Sequence, residues 1–195
     1  MAKLHPNFYT LCDRAESLML SPSRIDWIEA SDGFRTVLRI RNYPSFEPMI
    51  VWDVAVQTGA ARDANASVCE MTWDRPGDAL RFIDPLARVA HPQKLRSIPS
   101  LYLRQATFEA SLILSQLERI DFRSFDAGIG NRWIWIDGDH YYVEARPDQE
   151  VLTFHWEVSS GPPEWRALIS WTQHMTQFLL AQLSGSAACP LAIEE

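Results

Sequence analysis

The stretch that most restricts the fold is 131–158, NRWIWIDGDHYYVEARPDQEVLTFHWEV, where apolar and polar residues alternate through two turn signals. Alternation with period two marks strands with unlike faces, and a slip of one residue at either turn would exchange those faces. Asp137-Gly138 suits a two-residue type I′ reversal, because both residues tolerate positive φ better than most. That turn predicts Trp133 opposite Tyr142, Ile134 opposite Tyr141, and Trp135 opposite His140. A second reversal centred on Asp148-Gln149 predicts Glu144 opposite Thr153, Tyr142 opposite His155, and His140 opposite Glu157. The meander then has a core face of Ile134, Ile136, Tyr141, Val143, Leu152, Phe154, Trp156 and Val158. Its reverse carries Trp133, Trp135, His140, Tyr142, Glu144, Thr153, His155 and Glu157.

The rest of the chain supplies elements to cover and extend that meander. Residues 7–20 place Phe8, Leu11, Cys12, Ala15, Leu18 and Met19 at helical spacing, and Ser21-Pro22 ends the helix. Residues 24–30, the turn Ser31-Asp32-Gly33 and residues 34–41 read as a hairpin, followed by strands over 49–57 and 67–74. In 49–57, Ile50, Trp52, Val54 and Val56 share one face. Prolines interrupt 75–99, where short helices are expected around ALRFI and LARVA within a packed connection. The spacing predicts a helix over 101–120 with Phe108, Leu112, Leu114, Leu117 and Ile120 inward. A further helix over 164–183, opened by Pro162-Pro163, presents Trp165, Leu168, Trp171, Met175, Phe178, Leu179 and Leu183 to the meander's core face. The tail after Ser184 is expected to fray. The expected class is α+β, one domain over 1–195 in the order α-β4-α-β3-α, with antiparallel strands packed against N-terminal, central and C-terminal helices.

Composition narrows the function. Eighteen basic against 25 acidic residues leave a net charge of −7, which repels phosphates and disfavours nucleic acid. The same charge suits a basic protein partner. Three widely spaced cysteines, Cys12, Cys69 and Cys189, without a CxxC pair, point to a reducing compartment. No apolar run is long enough to span a membrane and the N-terminus lacks a signal-peptide pattern, so a cytoplasmic location is expected.

No phosphate-binding loop, dinucleotide fingerprint, nucleophile elbow or HExxH pattern occurs. Neither a catalytic residue nor a metal ligand or cofactor is assigned. The contact face of Trp133, Trp135, His140, Tyr142, Glu144, His155 and Glu157 instead reads as a partner-binding surface, because tryptophan and tyrosine give large contact area at small entropic cost. A glutamate neighbour is expected to raise the histidine pKa and make that contact pH sensitive. As an arrangement, the element order is similar to that of secretion-effector chaperones and some bacterial immunity proteins. That similarity implies a toxin-neutralising or effector-binding role; on the surface read from the residues, the aromatics would anchor while Glu144, Glu157 and nearby aspartates steer the basic partner. The alternative is a small-ligand or metal-dependent enzyme using His140, Glu144, His155 and Glu157, and a third reading is a homodimer joined through the same face.

Overall fold

The computed structural model describes residues 6–20, 33–45, 47–58, 64–83, 98–126, 139–146, 150–158 and 161–191. The elements in order are α1 (Pro6–Leu20), β1 (Phe34–Tyr43), β2 (Met49–Gln57), β3 (Asn65–Trp73), α2 (Arg75–Ile83), β4 (Leu101–Glu109), α3 (Ala110–Leu117), β5 (His140–Ala145), β6 (Leu152–Glu157), α4 (Arg166–Gln182) and β7 (Cys189–Pro190). Short 3-10 turns lie at Phe122–Ser124 and Pro163–Trp165. The strands form one seven-stranded antiparallel sheet in the order β6-β5-β1-β2-β3-β4-β7. The α+β class is therefore correct.

The central strands of the sheet are buried on both faces, and strand parity sorts the side chains. One face carries Leu38, Ile40, Trp52, Val54, Ala66, Val68, Val143, Ala145, Phe154 and Trp156, all in the main core. Trp165, Leu168, Met175, Leu179 and Leu183 from the C-terminal helical segment, and Ile113 from α3, complete that core. Aromatic contacts tighten it: Tyr141 stacks across the strands on Trp156 with centroids 5.7 Å apart, and Phe154 meets Trp165 of the 3-10 turn edge-on at 5.4 Å. The opposite face packs Met49, Val51, Met71, Trp73 and Leu101 against Phe8, Leu11, Ala15 and Met19 of α1 and Phe82 of α2. Its β1, β5 and β6 part carries the polar residues considered below.

A β-bulge interrupts β1, where Val37 is the extra residue between Thr36, opposite Ala55, and Leu38, opposite Val54. As a result Val37 and Leu38 enter the same core although adjacent in sequence. Gly33 precedes the strand at φ +103°, a conformation that L side chains rarely adopt, and its carbonyl accepts from the Thr58 hydroxyl at 2.8 Å.

Four expectations change. The predicted helix over 101–120 is split: β4 runs to Glu109 and α3 occupies only 110–117. Residues 101–109 alternate as well as they spiral, and β3 offers a complete edge, pairing with β4 from Asn65↔Glu109 to Trp73↔Leu101. Backbone pairing along nine residues prevails over helix propensity, which is a weak local preference. In α3 Ala110 and Ile113 are buried and Leu117 packs against the core, as do Phe108 and Ile120 outside the helix, whereas Leu112 and Leu114 are exposed. The tail does not fray at once after Ser184, since Cys189-Pro190 pairs with Leu103 and Tyr102, and Ser186 donates to the Gln105 carbonyl at 2.6 Å. Val158, assigned to the core, is 48% exposed, beyond the end of β6. Finally, the two strand groups are one sheet, because β1 joins β5 directly. The expected strand over 24–30 and helix around LARVA lie outside the described residues.

Candidate functional site

The β5–β6 register is the expected one: His140 faces Glu157, Tyr142 faces His155, and Glu144 faces Thr153. Trp133 and Trp135 lie outside the described residues, as do both predicted turn dipeptides. The other edge of β5 is taken by β1, which pairs Arg39 with Glu144, Arg41 with Tyr142 and Tyr43 with His140. Two arginines and a tyrosine thus stand beside the residues where a pair of tryptophans was expected.

This substitution changes the chemistry of the face. Arg39 engages Asp53 of β2 through two nitrogens, Nε to Oδ1 and Nη2 to Oδ2, the latter at 3.2 Å. Arg39 and Asp53 are 8% and 3% exposed, so removing either would leave the other charge buried at a high cost. Glu144 accepts from Arg41 Nη2 at 2.5 Å and lies 3.7 Å from Arg39 Nη1. The carboxylate read from sequence as a steering group or a general base is held by two guanidiniums. Burial pushes the Asp53 carboxyl up, and Arg39 works against that shift.

Beyond the ion pairs lies an aromatic stack. The His155 ring lies parallel to Tyr142 at 4.0 Å, Tyr142 meets Tyr43 edge-on at 5.4 Å, and His140 is 5.3 Å from His155. Burial, followed by repulsion from His140, lowers the His155 pKa, contrary to the expected increase from a glutamate neighbour. The Tyr142 phenol is pushed up to about 12, chiefly by burial, with smaller contributions from Tyr43 and from Glu16 on α1. Both rings are therefore neutral at pH 7. His140 is buried, Glu157 and His155 are half-buried, and Thr153 is exposed.

Sequence reasoning missed Arg39, Arg41, Asp53 and Tyr43. A signal was available in the alternation of 34–43, FRTVLRIRNY, which sets Arg39, Arg41 and Tyr43 on one side; charged residues at alternate positions of a central strand need partners.

Two further acids hold structure elsewhere. Glu70 accepts two bonds from Arg104, at 2.8 and 2.6 Å, and one from the Trp52 indole at 3.0 Å. Asp78 joins Trp73 Nε1, Ser100 N and Arg81 at the start of α2. Cys69 is a buried core residue whose thiol is pushed up by burial, and His174 is exposed with Nδ1 2.8 Å from the Ser170 carbonyl. Among the described residues no three His, Cys, Asp or Glu side chains are placed to hold a metal ion.

Fold and site together define an α+β protein whose sheet buries an arginine–carboxylate network beside a histidine–tyrosine stack. Comparison of the chain with protein families, curated proteins and solved structures finds no match. No described helix is long and apolar enough to cross a membrane.

Proposed function

We propose that this is a non-enzymatic protein that binds a basic protein partner, in the manner of a toxin-neutralising immunity protein or an effector chaperone in the cytoplasm. The observation that supports the reading is the direction in which charge is sorted on folding. Arg39, Arg41, Arg81 and Arg104 turn to internal carboxylates. Exposed acids among the described residues are Asp13, Glu16, Glu47, Glu109, Glu118, Asp121, Asp126, Asp139, Glu150 and Glu164. Exposed bases among the same described residues are Arg35, Arg75, Arg119, Arg123 and Arg166, half as many. Such a surface attracts a basic partner at long range and gives its association a marked salt dependence. Steering belongs to these exposed groups and not to Glu144, which is internally paired.

The test is capture from the native cell followed by calorimetry of the purified pair. A stoichiometric complex that weakens about tenfold or more between 50 and 300 mM salt is expected, given steep screening of exposed charges. An affinity unchanged by salt would remove the reading. The enzyme alternative at His140, Glu144, His155 and Glu157 retains the His155–Tyr142 stack in its favour, but its glutamate at 144 is occupied by Arg41 and Arg39.

A further inference from the structure

A cavity of about 120 Å³ opens where α3 ends against the β1 bulge. Its walls are Val37, Leu117, Ile120, Phe122 and Ala145, and Asp121 and Arg123 complete the lining. Val37, Phe122 and Ala145 are almost wholly buried, and Leu117 and Ile120 are half-exposed, so the space has a firm apolar floor and a softer rim. The bulge borders it: Val37 is the inserted residue, and its carbonyl is fixed by the Arg146 N–H at 2.9 Å. An apolar cavity of about 150 Å³ holds a benzene ring, so this one accommodates a short chain of methylenes.

The electrostatics at the mouth favour a cation. Asp121 uses Oδ1 to accept from the Arg123 backbone N–H at 3.0 Å, and its carboxylate remains exposed at the rim. The C-terminus of α3 also ends here; its own last turn carries no basic residue, and Arg119 just beyond it is turned to the Gln116 side chain at 3.1 Å. Arg123, the cation of the lining, has Nε 3.7 Å from Glu150 Oε2, which offsets its charge and leaves Asp121 as the uncompensated group at the mouth.

We infer that this cavity is a socket for one lysine side chain of a basic protein partner: the apolar walls take the methylene stem, and Asp121 with the α3 terminus takes the ammonium. Long cationic side chains divide in this way between apolar and polar surroundings. The inference rests on the proposed function and gives it a specific anchor point.

The experiment is a titration of the full ¹⁵N-labelled chain with N-acetyl-lysine-N-methylamide, and in parallel with its norleucine analogue, which keeps the stem and lacks the charge. Saturable amide shifts confined to Leu117, Ile120, Asp121, Phe122 and Ala145 are expected, with the norleucine compound at least about fivefold weaker. Asp121→Asn preserves the capping oxygen while removing the charge, so it leaves the fold intact and is expected to weaken the lysine compound by about fivefold. Leu117→Trp fills the half-exposed wall and is expected to abolish the shifts. Equal binding of the two compounds would reduce the site to an apolar hole and overturn the inference, as would shifts indifferent to Leu117→Trp, or none. If a captured partner binds with salt sensitivity that neither variant disturbs, the socket fails and the proposed function stands. If the partner's affinity ignores salt, the proposed function fails, and the paired titration still decides the cavity's chemistry.

Discussion

Arg39→Met is the perturbation that separates the structure's logic most cleanly from a generic loss of charge. It removes both contacts to Asp53, which at 3% exposure is too buried for bulk solvent to replace them. Breaking a buried pair by deleting one partner costs about 3–5 kcal/mol, whereas replacing both partners by apolar residues of similar volume is often neutral. For a chain of 195 residues, each kcal/mol moves the melting temperature by about 2–4 °C, so a fall of roughly 6–20 °C is expected for the single variant. The double variant Arg39→Met/Asp53→Leu should recover most of that loss. The pH dependence carries its own sign. With Arg39 gone, burial and the nearby Glu144 act on Asp53 against Arg41 alone, which raises its folded pKa further above the unfolded value. The penalty is then small below about pH 4, where both states are protonated, and grows as pH rises toward neutrality. Thermal melts of the three proteins between pH 4 and 7 measure all of this. A single variant no less stable than an exposed-charge control such as Arg166→Ala, or a double variant as unstable as the single, would refute the reasoning.

Other outcomes follow from burial and titration. Ile113→Ala should cost about 2–5 kcal/mol in chemical denaturation and Leu112→Ala no more than about 0.5, since the first is fully buried and the second 42% exposed; the reverse order would restore the helix predicted over 101–120. His155 has a lowered folded pKa, so its contribution is present above the unfolded value near 6.5 and is lost as pH falls through the folded value. The acid-side slope of stability should therefore be shallower in His155→Phe than in the parent, and identical slopes would deny His155 that role. A thiol reagent should modify exposed Cys189 first, half-buried Cys12 slowly, and buried Cys69 only on unfolding. Rapid modification of Cys69 in the native protein would contradict its placement.

The sequence was legible where polarity alternates and ambiguous where it does not. The β5–β6 register could be read at every pair because a one-residue slip would have put Phe154 and Trp156 on the polar side. Strand β2 matched its expected bounds and its Ile50, Trp52, Val54, Val56 face, and the stripe of the last helix met the core face as expected. LYLRQATFE was misread as helix because its apolar spacing satisfies both periods, and only the waiting edge of β3 decides between them. The site failed in sequence for a related reason. Periodicity says which residues share a face of one strand but not which strand lies alongside, so the long-range pairing of β1 with β5 could not be read from the spacing of 131–158. The arginines of β1 were therefore invisible as partners of Glu144, and the face looked wetter and more acidic than it is.

That pairing is the claim on which the account depends, and proton–proton contacts in solution test it directly. Nuclear Overhauser effects between the α-protons of Ile40 and Val143, and of Asn42 and Tyr141, are expected from the β1–β5 register. Equivalent effects linking β5 to Ile134 or Trp135, with none to β1, would restore the three-stranded meander and remove the arginine–carboxylate network.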